Sequence, residues 1–124
     1  MNEDRSRTLQ GRRLLVVEDE YLVATNMVDM LEELGAEVVG PAGTVEDALQ
    51  LVESEGSRLG GAVLDINLNG VRVYPVAHAL AARGVPFIFA TGYDAIAIPE
   101  SFNEVPRCEK PVTKALLAKV LRCR

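Results

Sequence analysis

Leu14-Leu15-Val16-Val17-Glu18-Asp19-Glu20 sets four branched apolar residues directly before three carboxylates. A short continuous apolar run of this kind reads as a strand buried on both faces, with its charge confined to the carboxyl end. Three later runs repeat the arrangement. Ala62-Val63-Leu64 delivers Asp65, Phe87 to Ala90 delivers Thr91, and Val105 to Cys108 leads to Lys110-Pro111. If these strands lie parallel, Glu18-Asp19, Asp65, Thr91 and Lys110 converge on one edge, where open α/β sheets bind ligands.

Between the runs the apolar spacing changes to that of helices. From Tyr21 to Leu34 a stripe of Ala24, Met27, Val28, Leu31 and Leu34 is stopped by Gly35. Val38-Val39 reads as a short second strand closed by a Gly40-Pro41 turn. Thr44, with Asp47 three residues on, caps a second helix with an apolar face of Ala48, Leu49, Leu51 and Val52, ended by Gly56. Asn67-Leu68-Asn69-Gly70 has loop composition. A third helix starts near Pro75 and carries Val76, Ala77, Leu80 and Ala81 to Gly84. The segment 94–101 contains Pro99 and predicts a short or irregular fourth helix. Leu116, Leu117, Val120 and Leu121 form the stripe of the last helix.

Five strands and five helices in alternation predict a doubly wound α/β domain, a parallel sheet flanked by helices on both faces and joined by right-handed crossovers. Residues 1–11 lack periodicity and read as a flexible tail, leaving 12–124 as the domain. The 124 residues fit one domain, 48% hydrophobic and 25% charged, as in a soluble globular protein.

A formal charge of -5 argues against a phosphate-backbone binder. Basic residues gather at the ends, Arg5, Arg7, Arg12 and Arg13 at one and Lys114, Lys119, Arg122 and Arg124 at the other, and read as solvated ends. The opening residues do not resemble a signal peptide, and no apolar run approaches the ~20 residues of a membrane span, so a cytoplasmic protein is expected. Cys108 and Cys123 have neither CxxC spacing nor a histidine partner, which leaves zinc and redox chemistry without support.

Three carboxylates brought together repel one another unless a proton or a cation intervenes. Magnesium takes oxygen ligands and is commonly held by one or two carboxylates plus a phosphate. Asp19 and Asp65 are candidates to bind it directly, Glu18 through water, and the main-chain carbonyl of Asn67 is a further oxygen. Asp65 then qualifies as a nucleophile toward phosphorus, forming an aspartyl phosphate. Phosphoryl transfer rests mainly on positioning and on neutralising the equatorial oxygens, which Lys110 and Thr91 are suited to do.

This ordered set resembles the receiver domain of bacterial two-component response regulators, from about Arg13 to the end. The resemblance implies a flavodoxin-like strand order 2-1-3-4-5. It also implies a magnesium-dependent acceptor, with manganese able to substitute, that takes a phosphoryl group from a histidine kinase or a histidine phosphotransfer protein. It further implies a signalling protein rather than a turnover enzyme, with an unnamed downstream protein partner and a homodimer left open. By resemblance, Glu18, Asp19 and Asp65 hold the metal, Asp65 is the phosphoacceptor, and Thr91 and Lys110 contact the phosphoryl group. The segment Pro86-Phe87-Ile88-Phe89-Ala90-Thr91-Gly92-Tyr93 is similar to the signature of the single-domain FAT GUY subgroup, which implies output through protein contacts or phosphate shuttling.

Two residues depart from the family pattern. Where receivers usually carry an aromatic switch residue, three positions before the active-site Lys, this chain has Arg107. Tyr93 and the loop 92–101, with Gly92 permitting backbone change, are expected to report phosphorylation instead. Asn69 stands where many receivers have Pro, so a more mobile loop is expected there. His78, the single histidine, falls inside a predicted helix away from the site; Tyr21 and Tyr74 lie near helix starts, where packing and binding are both open. A dehydrogenase is excluded because no GxGxxG follows the first strand. An aspartyl-phosphate phosphatase would place its nucleophile after the first strand with a second Asp two residues on, but Asp65 follows the third and is succeeded by Asn67. The remaining alternative is a receiver-like interaction domain that signals without phosphorylation.

Overall fold

The computed structural model describes residues 8–92 and 98–122. Strand β1 (Arg13–Val17) takes up the first apolar run, with Leu14 to Val17 buried. Helix α1 (Tyr21–Glu33), strand β2 (Glu37–Ala42), helix α2 (Val45–Glu55) and a 3-10 turn (Gly56–Arg58) follow. Next come β3 (Gly61–Asp65), a hairpin of β4 (Asn67–Leu68) and β5 (Val71–Arg72), and α3 (Tyr74–Ala82). Strand β6 (Phe87–Thr91), a second 3-10 turn (Glu100–Phe102), β7 (Arg107–Glu109) and α4 (Lys114–Arg122) complete the described chain.

The five-stranded sheet has the order β2-β1-β3-β6-β7, and every neighbouring pair is parallel. Counted within the main sheet alone, this is the expected 2-1-3-4-5 order. Side chains alternate between its faces. Leu15, Leu64, Phe87 and Phe89 join the core beneath α2 and α3, whereas Leu14, Val16, Val63, Ile88 and Cys108 join the core beneath α1 and α4. Every residue of β3 and β6 is buried, as the uninterrupted apolar runs require.

Four α-helices stand among the described residues where five were expected. In the stretch of the expected fourth helix the structure places the turn Glu100–Phe102, preceded by Pro99 in an extended conformation and closed by the Phe102 N–H on the Pro99 carbonyl at 2.9 Å. Residues 93–97 lie outside the described residues. Thr44 caps α2 as expected, its Oγ1 accepting from the Asp47 N–H at 3.1 Å.

The Gly40-Pro41 pair is not a turn but lies within β2, which extends to Ala42. Edge strands tolerate a proline, whose missing donor would break a ladder in the sheet centre. Gly40 has φ 96°, and a Cβ there would stand 2.9 Å from the Ala42 nitrogen and 3.0 Å from the Val16 carbonyl oxygen. The strand bulges at this point, shifting register between Leu15 and Val17. Its last carbonyl, that of Ala42, thereby accepts from the Glu18 N–H at 2.9 Å.

The Asn69-Gly70 pair, expected as loop, closes the β4–β5 hairpin with φ values of 57° and 92°. Two consecutive left-handed residues make a type I′ turn, for which Asn-Gly is the preferred sequence. The Asn67 Oδ1 accepts from the Gly70 N–H at 2.9 Å and closes the turn from the other side.

Residues 8–11, expected as part of the tail, are engaged with the domain. Leu9 is fully buried in the core beneath α1 and α4, and its N–H donates to the Leu34 carbonyl at 2.8 Å. Arg12 donates to the carbonyls of Leu121 at 2.9 Å and Gly60 at 3.0 Å, and Arg13 bridges Glu55 at 2.7 Å and Glu37 at 2.8 Å. Lys114 pairs with Glu33 at 3.0 Å. The basic residues flanking the domain therefore include structural ties, which composition cannot distinguish from a solvated end. Leu9→Ala is expected to destabilise the protein by about 2–5 kcal/mol, the range for deleting a buried leucine side chain. Urea denaturation measures it, and an unchanged midpoint would show that Leu9 does not belong to the cooperative unit.

Candidate functional site

The register of the sheet brings the polar ends of four strands to one edge. Glu18 and Asp19 follow β1, Asp65 is the last residue of β3, Thr91 the last of β6, and Lys110 follows β7. Together with Asn67, Asn69, Gly70 and Gly92 they line one cavity of about 450 Å³. All of the sequence-predicted metal and phosphoryl residues are thus brought together.

Glu18, Asp65 and Thr91 are only 5%, 9% and 4% exposed. A carboxylate oxygen from each of Glu18, Asp19 and Asp65 lies within 4.8 Å of the other two. Into this cluster reaches the Lys110 ammonium, 2.6 Å from Glu18 Oε1 and 3.3 Å from Asp65 Oδ2. The Glu20 N–H donates to Glu18 Oε2 at 3.1 Å, and the Asn67 N–H to Asp65 Oδ1 at 3.3 Å. The Lys110 N–H in turn donates to the Thr91 carbonyl at 2.8 Å, fixing the two residues beside each other.

Burial is the largest influence on the Glu18 carboxyl and, with the Asp65 charge, lifts it above its ordinary value, although Lys110 and the Glu20 N–H pull it down. Burial also pulls at the Lys110 ammonium. The hydrogen bond with Glu18 and the charge of Asp65 more than reverse that effect and hold Lys110 above its ordinary value. The lysine is therefore a cation at neutral pH, as its position requires. The donor set is all oxygen, acidic and partly buried, which suits a hard divalent cation and fits magnesium better than a soft metal.

The chain is 43% identical to SdrG from Sphingomonas melonis Fr1, whose solution structure it matches over 90% of this chain and 93% of that one with a TM-score of 0.80. It is 34% identical over 108 residues to the phyllosphere-induced regulator PhyR of Methylorubrum extorquens, covering 86% of this chain and 37% of PhyR. A CheY-like response regulator receiver domain from Methylobacillus flagellatus has the same fold, with a TM-score of 0.79 over 92% of this chain and 98% of that one at 23% identity.

The chain belongs to the response-regulator receiver family.

No family model matches the sequence. The receiver spans 37–40% of the length of the curated relatives it matches. No helix among its described residues is long and apolar enough to cross a membrane.

The readout residues expected from sequence are dispersed. Gly92 lines the cavity, Arg107 is exposed on β7, and Tyr93 lies outside the described residues. Among the described residues, Asn69 and Gly70 are additions to the cavity wall that sequence reasoning did not place there. The Asn-Gly pair between Leu68 and Val71 is a hairpin signal that could have found them. Tyr21 is 79% exposed at the start of α1, so packing does not account for it, and His78 is an exposed residue of α3 whose ring lies 4.8 Å from that of Phe102.

Proposed function

We propose that this receiver accepts a phosphoryl group on Asp65 from a phosphohistidine of a kinase or phosphotransfer protein. The observation that carries the reading is the Lys110 ammonium between Glu18 and Asp65, within an acidic cluster at the carboxyl edge of the sheet. Glu18, Asp19 and Asp65, with the Asn67 main-chain carbonyl, are the residues that would hold magnesium. When bound, magnesium supplies positive charge for the phosphoryl oxygens and for the clustered carboxylates.

An Asp65 oxygen forms the new O–P bond as the P–N bond to the donor imidazole breaks. The electron pair stays on the imidazole nitrogen, which takes up a proton. Asp65 needs no general base, since it attacks as a carboxylate. Lys110 neutralises the phosphoryl oxygens from beside the nucleophile, and the Thr91 hydroxyl donates to one of them. The similarity of 86–93 to the FAT GUY segment supports an output through protein contacts or by passing the phosphoryl group on.

A largely apolar groove that shares residues with the site supports docking of the histidine-bearing donor beside it. Val23, Met27, Met30, Pro111 and Val112 line about 360 Å³ of it, and it shares Glu20, Gly92 and Lys110 with the site cavity. Tyr21 and Leu22, 79% and 73% exposed, begin the same helix, between the groove residues Glu20 and Val23 in sequence. Exposed aromatics beside an apolar groove are typical anchors for a partner. Tyr21→Ala is expected to slow phosphotransfer from the cognate donor about 10-fold while leaving labelling by a small phosphodonor unchanged. Equal slowing with both donors would remove Tyr21 from the partner surface.

The reading itself is tested by incubation with a small phosphodonor and magnesium, followed by intact-mass measurement. It requires a single phosphoryl addition that hydroxylamine removes and that chelation of magnesium prevents. An unmodified mass under conditions that keep the protein folded would leave the phosphorylation-independent interaction domain.

A further inference from the structure

Tyr74 is the first residue of α3, and its ring packs edge-on against Phe89 at 6.1 Å and nearly parallel to Phe102 at 5.9 Å. Its hydroxyl oxygen is buried and has no hydrogen-bond partner among the described residues. A buried hydroxyl without a partner carries its full desolvation cost, and in a native structure such a group calls for an explanation. Pure packing is not one, because phenylalanine would fill the same space at no such cost.

Tyr74 adjoins two arms of the phosphoryl site, one through its neighbour's backbone and one through its ring. On one side, the Val73 N–H donates to the Ile66 carbonyl at 2.9 Å, which ties the start of α3 to the residue after Asp65. On the other, Phe89 lies two residues before Thr91 on the same strand, so the two share the face that Tyr74 covers. A third set of contacts leads outward. Phe102 passes its carbonyl to the Val105 N–H at 3.1 Å, the Phe89 N–H donates to the Pro106 carbonyl at 3.0 Å, and Phe89 sits beside Arg107 in the ladder. Arg107 is exposed, and on this face Phe89 and Phe102 carry the contacts of the Tyr74 ring toward the β7 edge.

We propose that Tyr74 is the conformational reporter of the site: its hydroxyl is held unpaired in the resting protein and gains a hydrogen bond when Asp65 carries a phosphoryl group. This rests on Asp65 being the phosphoacceptor. A ligand shifts a conformational equilibrium only through a difference in interaction between the two states. A buried donor that is unpaired in one state and paired in the other provides such a difference. Movement of the ring is then transmitted through Phe102 to the turn Glu100–Phe102 and to Arg107.

The test compares wild type with Tyr74→Phe, which keeps the ring and deletes the hydroxyl. Without any phosphoryl mimic, the variant is expected to melt about 5 °C higher, because the unpaired group is gone. A lower melting temperature would show that the hydroxyl is satisfied in the resting state and would overturn the proposal, whatever Asp65 does. The second measurement follows amide and ring-carbon NMR spectra on addition of beryllofluoride and magnesium. In wild type the Tyr74 ring and the amides of Phe102, Val105 and Arg107 are expected to shift together with those of Asp65 and Asn67. In Tyr74→Phe the shifts near Asp65 are expected to persist while those of 102–107 are lost. Unchanged shifts at 102–107 in the variant would overturn the role of Tyr74 alone. Silence at Asp65 in wild type would overturn the phosphoacceptor reading, and the Tyr74 role with it.

Discussion

Asp65→Asn protein is expected to show no phosphoryl label, a loss of at least ~10³-fold in the rate of acceptance from either a small phosphodonor or a histidine-bearing partner. The neutral amide is a far weaker nucleophile than the carboxylate and has no negative charge with which to bind a cation. The fold survives the change for a specific reason: Lys110 retains its shorter contact, 2.6 Å, to Glu18, and one of three mutually repelling carboxylates is removed. Thermal melting of the metal-free variant should therefore be no lower than that of wild type. Intact-mass measurement with and without hydroxylamine checks the first expectation. Label persisting in a folded Asp65→Asn protein would move the acceptor to another residue and refute the assignment of Asp65.

Lys110→Met is expected to have the largest effect on the metal-free protein. Methionine keeps much of the volume of the side chain but withdraws the charge from between Glu18 and Asp65. Breaking a buried ion pair by removing one partner leaves an uncompensated charge, at a cost of about 3–5 kcal/mol. The lower end is expected for this pair because the Glu18 carboxyl, already lifted by burial, can escape by taking up a proton. The pH dependence follows from the direction of that shift. A carboxyl lifted in the folded state adds stability that is complete below its ordinary value of 4.5 and disappears as pH rises through its lifted value. The variant should therefore be closest to wild type in acid and furthest below it at neutral pH. Magnesium should recover part of the neutral-pH loss, since a ligand of the folded state alone stabilises by mass action. Urea titrations at two pH values, each with chelator or magnesium, separate these effects. Equal stability of variant and wild type without metal would mean that Lys110 does not neutralise the cluster.

The parallel sheet and the convergence of Glu18, Asp19, Asp65, Thr91 and Lys110 were legible because both depend on where apolar runs stop, a one-dimensional property. The stretches misread depend on what lies beside them in space. Gly40-Pro41 has the composition of a turn but lies inside an edge strand, where a missing donor is tolerated. Leu9 sits in a segment without periodicity, and its burial comes from Leu34 and the core beneath α1 and α4, more than twenty residues on. Arg12 was indistinguishable from its basic neighbours until the Leu121 and Gly60 carbonyls came within reach. The salt bridge of Lys110 with two acids at once was likewise invisible, because alternation of elements gives the edge of the sheet but not distances along it.

The hairpin at Asn69-Gly70 constrains how this chain can drift. Proline locks φ near −65°, whereas position 69 holds φ 57° and position 70 holds φ 92°. A proline at 69, as many receivers have at this point, is therefore not a neutral exchange in this background. It would require the turn to reverse its backbone sense, the Asn67–Gly70 bond to be lost and the β4–β5 pairing to be rebuilt. Asparagine and glycine at these positions serve one turn together, both holding left-handed backbone. A wall of the site cavity is built on this turn, so the backbone sense at 69 and 70 is set together with the shape of the cavity.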